Sequence, residues 1–189
     1  ERLASQNGPT KGKILRPSDG KEPLRIGFVQ CAGSRDENHL PYCSYVCCLA
    51  SMKQATYIRE QYPDAEVFIF YIDIRTPARA ERVYLRAQKD EKIKFIKGKV
   101  AKIEEDPSTK DLTVTAENAL TLQKIHEKVN LVVLATGMVP NTQQWKAPAE
   151  ISYDTDGFIL SNTGVAGMYA AGCAVKPIDV YSSVQTATA

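Results

Sequence analysis

The sequence predicts an α/β fold in which a Rossmann-like parallel sheet, covered by helices, carries an inserted antiparallel β-meander. The first observation is a β-α-β-α-β order of apolar runs and helical stretches joined by short connections, which is typical of a parallel sheet. The second is a change to alternating apolar and polar residues in the middle of the chain, which indicates antiparallel strands. The third is a return to a continuous apolar run at residues 129–135, typical of a buried strand.

Length and charge exclude several classes of protein. The chain has 189 residues, enough for one domain or for one domain with part of another. Its 24 basic and 22 acidic residues are interspersed and give a net charge of +2, so we expect no nucleic-acid partner. The longest apolar runs are far shorter than the roughly 20 residues that span a bilayer, which argues against direct membrane insertion. A start at Glu1 and an end inside an apparent helix predict a fragment of a longer polypeptide.

The first half of the chain supplies the predicted parallel strands and helices. Residues 1–22 are rich in Gly, Pro, Lys and Ser and are predicted to be a linker, or an arm that packs on something absent from this chain. Residues 24–30 predict a strand, and a 3.6-residue apolar period predicts a helix of about five turns from Cys43 to the residue before Pro63. A second strand, a second helix and a third strand are predicted in turn at residues 66–73, 77–90 and 92–100.

The second half supplies the meander and a less regular segment. Alternation at residues 99–106 and 112–117 predicts two antiparallel strands, followed by a second turn region. The apolar run at residues 129–135 then returns to the parallel sheet. Residues 158–162 predict one more strand, before a glycine turn and a helix that begins near the end of the chain.

Four of the five cysteines cluster in a short part of the sequence: Cys31, Cys43, Cys47 and Cys48. Cys31 ends the first predicted strand, where α/β sheets bind ligands. Cys43 and Cys47 would share one face of the first helical turn, whose positive end stabilises thiolates. Converging thiolates can hold an iron–sulfur cluster or zinc. A thiol/disulfide redox pair and a group of small buried hydrophobic residues are the alternatives.

The turn after the first strand lacks the glycines of a dinucleotide-binding loop. It reads QCAGSRD, with Gly33 alone where the pattern G-x-G-x-x-G is expected. We therefore expect that this nicotinamide-type domain has lost its nucleotide and holds a cluster at the same position. Asp73 ends the second strand in the place of a ribose-binding acid, and a capping or salt-bridge role is predicted for it instead.

Two later segments match flavoprotein signatures. Residues 129–141, VNLVVLATGMVPN, match a buried strand that ends in A-T-G-x-x-P-N, where the glycine allows a close backbone approach to a flavin dinucleotide. Residues 163–187 match a strand–turn–helix, T-x-x-x-G-x-Y-A-x-G-D-x, with Cys173 in place of the usual aspartate, so a backbone contact is expected there. The candidate flavin-binding residues are Thr136, Gly137, Gly172, Cys173, Pro177, Ile178 and Asp179.

These segments and CAGSRD…YCSYVCC together closely resemble the family of A-type subunits of heterodisulfide reductase. The segment FVQCAGSRDENHLPYCSYVCC is most similar to the branch found in the quinone-interacting membrane-bound oxidoreductase of sulfate reducers. The resemblance implies an NAD(P)-binding-like domain of a disulfide-reductase-like flavoprotein at residues 23–135 and a partial FAD-binding domain at residues 136–189. It further implies FAD as a cofactor and a [4Fe–4S] cluster with the ligands Cys31, Cys43, Cys47 and Cys48. Lys53, five residues after Cys48, is predicted to stabilise the reduced flavin or the cluster.

The resemblance also implies a function. The chain would belong to an electron-transfer oxidoreductase component of sulfur metabolism that passes electrons between FAD and the cluster. It would be cytoplasmic and reach the membrane only through partner subunits, with adenylylsulfate reductase and a second copy of itself as further partners. Two rival functions remain open. A pyridine nucleotide–disulfide oxidoreductase would need a nicotinamide and an active dithiol, and a zinc-stabilised interaction domain would need no electron transfer.

Overall fold

The computed structural model describes residues 1–77 and 80–188. In those residues it has seven strands and three α-helices, with two compact units. The α/β unit comprises Glu1–Ala32 and Cys47–Thr136, and the second unit comprises Gly33–Val46 and Gly137–Ala189. The elements, in chain order, are β1 (Arg25–Ala32), α1 (Cys47–Gln61), β2 (Glu66–Tyr71), α2 (Glu81–Gln88), β3 (Ile93–Lys97), β4 (Val100–Glu105), β5 (Leu112–Glu117), β6 (Lys124–Val129), β7 (Leu131–Thr136) and α3 (Val180–Thr188).

The α/β unit contains the predicted pair of sheets. Strands β3-β2-β1-β7 form a parallel sheet in that order, and β4-β5-β6 form an antiparallel sheet. Strand β1 therefore has β2 on one side and β7 on the other, which makes its carboxyl end the point where the strand order reverses. The predicted fold class is confirmed.

Strand β2, with the sequence EVFIFY, shows why this sheet is apolar on both faces. Val67 and Ile69 lie in a core cluster with Met52, Ala55 and Ile58 of α1, whereas Phe68 and Phe70 lie in a second cluster with residues of the antiparallel sheet. Alternate side chains of a strand point to opposite faces, so a strand covered on both sides reads as a continuous apolar run.

The N-terminal arm packs on the α/β unit itself. Ile14 is buried in the cluster that contains α1, and its backbone N–H donates to Oε1 of Gln61 at 3.0 Å. The Tyr62 hydroxyl donates to the Ile14 carbonyl at 2.9 Å. The expectation that this arm packs on something absent from the chain is therefore wrong, because its partners are the last turn of α1 and the residue that follows it.

Three predicted elements differ from the structure. Helix α1 begins at Cys47 rather than Cys43, because Tyr45 has a φ of +67° and the Val46 N–H donates to the Ser44 carbonyl in a tight turn. The segment predicted as a turn before residue 129 contains β6. Residues 158–162 form isolated bridges rather than a strand. The second predicted helix is observed as α2, and residues 78–79 of that prediction lie outside the described residues.

Candidate functional site

Cys31 lies on a β-bulge at the carboxyl end of the central strand. Val29 of β1 pairs with Leu134 of β7, and Ala32 pairs with Thr136. Two residues of β1 therefore lie opposite one residue of β7 between these pairs. Cys31 itself has a φ of +55°, a left-handed conformation that costs a non-glycine residue about 1–2 kcal/mol. Bulges and strained residues of this kind occur next to functional sites, where they redirect a side chain.

Cys47 and Cys48 lie at the same edge of the sheet, at the start of α1. The Cys47 thiol donates a weak hydrogen bond to the Thr136 carbonyl at the end of β7, over 3.8 Å. The buried Cys48 thiol donates to the Asp73 carbonyl, two residues beyond β2, over 3.9 Å. Three cysteines of the α/β unit therefore lie at the carboxyl ends of three neighbouring strands, β2, β1 and β7.

Cys43 belongs to the second unit and is not helical. Its Sγ accepts a hydrogen bond from the Tyr45 backbone N–H at 3.3 Å. The expectation that Cys43 and Cys47 share a helix face is wrong, since α1 begins only at Cys47. Within residues 1–77 and 80–188, no group of three or more His, Cys, Asp or Glu side chains has the arrangement of a metal site. The four-cysteine ligand set stays a prediction.

Two chemical features lie at this edge of the sheet. Three thiols at one edge are soft ligands of the type that iron–sulfur clusters and zinc prefer. Gln30, which precedes Cys31 in β1, is buried, and neither its amide nitrogen nor its amide oxygen has a hydrogen-bond partner among the described residues. An unpartnered buried amide is costly in a native fold, where an ordered water or another polar group normally completes its hydrogen bonds.

The first flavin signature packs against the loop that contains Cys43, inside the second unit. The Ser44 hydroxyl accepts a hydrogen bond from the Met138 N–H at 2.7 Å, and the Tyr42 hydroxyl donates to the Met138 carbonyl at 3.0 Å. A Cβ added to Gly137 would lie 2.3 Å from Cδ1 of Leu40. Glycine is therefore required at position 137 because the backbone there packs closely against this loop.

Sequence reasoning missed Gln30, Tyr42 and Ser44. Tyr42 and Ser44 both bind Met138, which lies more than 90 residues away in the sequence. Locally, their position beside Cys43 was the only sign that they belong to a site. Burial raises the pKa of the Tyr42 hydroxyl, and the carboxylates of Asp156 and Asp154 raise it further. The hydroxyl therefore stays protonated and remains a donor to Met138.

The second flavin signature forms a turn that is closed by its own side chains. Gly172 is buried at a φ of +65°, and its N–H donates to the Thr186 hydroxyl at 2.9 Å. The Cys173 thiol donates to the carbonyl of Ile178, the residue after Pro177, at 3.3 Å. The Asp179 carboxylate accepts from the Ser182 N–H at 2.7 Å, so Asp179 is the N-cap of α3.

The remaining predicted residues have surface partners. The Lys53 ammonium pairs with the Glu1 carboxylate at 3.2 Å and lies 5.6 Å from the centre of the Tyr57 ring. Hydrogen bonds to Tyr57 and Glu1 raise the pKa of Lys53. Its predicted role beside a cofactor stays a prediction. Asp73 pairs with Arg75 at 3.5 Å, which confirms the predicted salt bridge.

Comparison with known sequences identifies the relatives of this chain. It is 43% identical over its full length to the second A-type iron-sulfur subunit of CoB–CoM heterodisulfide reductase from Methanopyrus kandleri. The chain is similar to the A-type subunits of heterodisulfide reductases. A second such relative, from the H2:CoB–CoM heterodisulfide, ferredoxin reductase of Methanothermobacter thermautotrophicus, is 38% identical over the full chain. The chain spans 31% and 30% of the lengths of these two relatives. No protein-family model matches it.

Solved structures confirm the fold. Thioredoxin reductase of Lactococcus lactis superposes with a TM-score of 0.58 at 18% identity, covering 87% of this chain and 49% of that protein. Thioredoxin reductase of T. acidophilum gives a TM-score of 0.57 at 19% identity, with 86% and 48% covered. At this identity the likeness describes the fold alone. Among the described residues, no helix combines the length and apolar character needed to cross a bilayer.

Proposed function

We propose that this chain is the part of a heterodisulfide-reductase-type electron-transfer protein that holds a [4Fe–4S] cluster and contributes to an FAD site. Its function would be to pass electrons between these cofactors. The observation that carries the proposal is the position of Cys31, Cys47 and Cys48 at the carboxyl ends of β1, β7 and β2. The Methanopyrus kandleri relative is an iron-sulfur subunit, which supports the same cofactor.

The proposed cluster ligands are the thiolates of Cys31, Cys43, Cys47 and Cys48. A [4Fe–4S] cluster supplies one-electron transfer, and a flavin exchanges one or two electrons. Each thiol must lose its proton to become a ligand, so Cys47 and Cys48 would give up their hydrogen bonds to the Thr136 and Asp73 carbonyls. The N-terminus of α1, where both residues lie, would stabilise their negative charge.

The adjacent pair Cys47 and Cys48 favours a cluster over zinc. Structural zinc sites usually take cysteines from C-x2-C to C-x4-C pairs around one small tetrahedral ion. Successive helix residues point about 100° apart, so the two sulfurs suit a wider inorganic core.

The proposed FAD contacts lie at the end of β7 and in the turn of the second signature. Thr136 and Gly137 follow the buried strand β7, and Gly172, Cys173, Pro177, Ile178 and Asp179 lead into α3. The Gly172 N–H and the Asp179 carboxylate already have partners, so contacts at this end would use the remaining backbone groups. The chain spans 31% of the Methanopyrus kandleri relative, so these residues would form only part of an FAD site. Lys53 would supply positive charge beside one of the two cofactors.

The proposed partners are the other components of an electron-transfer complex. The similarity of this chain to part of the A-type subunits of heterodisulfide reductases supports a multi-subunit setting. We further propose the quinone-interacting branch, on the segment FVQCAGSRDENHLPYCSYVCC, with adenylylsulfate reductase as a partner and a cytoplasmic position at the membrane through partner subunits. Co-purification of adenylylsulfate reductase with the tagged chain would test this branch. A sedimentation mass of twice that of the chain would show that two copies associate.

Anaerobic reconstitution tests the cluster. The chain is incubated with iron and sulfide, the bound iron is counted, and EPR spectra are recorded before and after reduction with dithionite. We expect about four irons per chain and a signal from a reduced cluster. A colourless protein that binds one zinc ion would contradict the proposal.

Serine variants of the cysteines identify the ligands. Cys47→Ser and Cys43→Ser should each lose most of the iron and change the EPR signal. Cys173→Ser is the matched control. Cys173 is exposed, lies outside the proposed ligand set, and donates its thiol hydrogen to the Ile178 carbonyl within its own turn. Equal iron content in Cys47→Ser and Cys173→Ser would remove Cys47 from the ligand set.

A further inference from the structure

Two leucines lie exposed in the turn between β5 and β6, residues 118–123, which is called the leucine turn below. Leu120 is 74% exposed and Leu122 is 76% exposed, which makes them the most exposed large apolar side chains in the described part of the α/β unit. A single exposed leucine is common on a protein surface. This pair differs because the backbone around it holds both residues in fixed positions.

The leucine turn is closed by its own hydrogen bonds. The side-chain oxygen of Asn118 accepts from the backbone N–H groups of Leu120 and Thr121, at 2.8 Å and 3.3 Å. The Leu122 N–H donates to the Asn118 carbonyl at 2.8 Å. The Asn118 N–H in turn donates to the Gln123 carbonyl at 2.9 Å. The two leucines are therefore presented by an ordered turn.

The backbone of Leu122 is strained. Its φ is +57°, in the left-handed region that leucine rarely adopts and that glycine or asparagine adopts more easily. Such strain persists only where the surrounding structure enforces it, and it is concentrated at functional sites. The fold thus keeps an apolar side chain both in water and in an unfavourable conformation, and neither stabilises the free protein.

Lysines lie beside the leucine turn. A backbone N–H of the turn donates to the Lys97 carbonyl at 2.9 Å, which fixes the end of β3 against it. Lys99 directly precedes β4, and Lys124 begins β6 opposite Glu117. The side chains of all three lysines are exposed. Residues 92–103 contain five lysines and no acidic residue, so positive charge borders the two leucines.

This composition favours a lipid surface over a protein partner. Protein interfaces are enriched in Trp, Tyr and Arg and depleted in Lys, and Leu is under-represented among the residues that dominate their binding energy. The leucine turn combines leucine with lysine instead. Apolar side chains bordered by basic residues are typical of segments that lie on a membrane, where the apolar groups enter the acyl boundary and the cations attract anionic headgroups.

We infer that the leucine turn binds the surface of a bilayer that contains anionic phospholipids. Leu120 and Leu122 enter the boundary of the acyl region, and Lys97, Lys99 and Lys124 are attracted to the headgroup phosphates. Removal of the two leucines from water drives the contact, and the lysines orient it. This direct lipid contact goes beyond a position at the membrane that depends on partner subunits, and it needs no cofactor.

Flotation with phospholipid vesicles tests the inference. The full chain of 189 residues is mixed with vesicles of phosphatidylcholine alone or of phosphatidylcholine with phosphatidylglycerol. We expect it to bind the anionic vesicles, to bind pure phosphatidylcholine more weakly, and to lose affinity for the anionic vesicles as salt screens the lysines. A chain that does not float with the anionic vesicles would overturn the inference.

A double variant tests the leucines. Leu120→Ser with Leu122→Asn removes the apolar groups and keeps the turn, because asparagine adopts the left-handed backbone readily. Its affinity for anionic vesicles should fall by about tenfold or more, since membrane affinity grows with every buried CH2 group. Leu85→Ser, at an exposed leucine of α2, is the control and should bind as wild type does. Wild-type affinity in the double variant would contradict the role of the leucine turn.

A second pair of variants tests the lysines. Lys97→Gln with Lys124→Gln should weaken binding to the anionic vesicles by about tenfold and leave binding to phosphatidylcholine unchanged. Lys13→Gln with Lys89→Gln removes the same charge at exposed positions outside the leucine turn and should have a smaller effect. Equal losses in the two pairs would show a general attraction of a basic chain and would overturn the inference. None of these outcomes bears on the proposed cofactors, because cluster reconstitution needs no lipid.

Discussion

A hydrogen bond of 2.7 Å joins the backbone N–H of Met138 to the side-chain oxygen of Ser44. Tyr42, on the other side of Cys43, donates its hydroxyl to the carbonyl of the same Met138. The two neighbours of a predicted cluster ligand thus hold both polar groups of one residue in the A-T-G-x-x-P-N signature. The loop that contains Cys43 and the turn after β7 are therefore fixed to each other within the second unit.

Ser44→Ala should destabilise the protein by about 1–3 kcal/mol, because it leaves the Met138 N–H without its acceptor next to a fully buried side chain. The free energy of unfolding from urea denaturation measures this. Ser161→Ala, an exposed serine of the same unit, is the control and should stay within about 0.5 kcal/mol of wild type. Similar losses in both variants would contradict a specific role of the Ser44 hydrogen bond.

Gly137→Ala should cost about 1–3 kcal/mol through overpacking, since the new methyl group would lie 2.3 Å from Leu40 and 3.2 Å from the Ser44 hydroxyl. The double variant Gly137→Ala with Leu40→Ala tests the cause. Removing the Leu40 side chain should make the glycine substitution less costly, which a double-mutant cycle of unfolding free energies detects. Additive effects of the two substitutions would locate the strain elsewhere.

Acid should weaken the contribution of Glu66 to stability. A hydrogen bond from Lys94 and the charge of Arg25 hold the pKa of Glu66 below its ordinary value of 4.5. A carboxylate with a depressed folded pKa contributes stability above its unfolded pKa, and this is lost as the pH falls through the folded pKa. The stability difference between wild type and Glu66→Gln should thus be constant near neutrality and shrink below about pH 4.5.

The measurement is urea unfolding of both proteins from pH 7 down to pH 3. Glu91→Gln provides the control, because Glu91 is exposed and precedes β3. A Glu66→Gln difference that stays unchanged down to pH 3 would show that the pairs with Arg25 and Lys94 do not stabilise the sheet.

Arg16→Met should loosen the N-terminal arm. The Arg16 guanidinium is 8% exposed, pairs with Asp111 at 3.2 Å and donates to the Thr109 carbonyl at 3.2 Å. Its removal should cost about 1.5–3 kcal/mol, the range for hydrogen bonds that involve a charged group. Limited proteolysis should then cut residues 1–22 faster than in wild type. Lys21→Met, which alters an exposed lysine of the same arm, should leave the cutting rate unchanged.

The sequence was a reliable guide wherever a local period carries the information. The alternation and runs that define β1, β2, β3, β4 and β5 follow from which faces of each strand are covered. The position of Cys31 at a strand end also followed from local pattern and the order of elements. The start of α1 did not, because the apolar period continues before Cys47 while the backbone at Tyr45 turns into a left-handed conformation.

By itself, then, the sequence determined an α/β fold with cysteines at the edge of its parallel sheet, since strand and helix periods depend on neighbouring residues. Only the tertiary structure decided that Gln30 is buried without partners among the described residues and that Ser44 binds a residue 94 positions away. Burial and long-range hydrogen bonds depend on which distant segments pack together, and the local periodicity of a sequence does not show which segments those are.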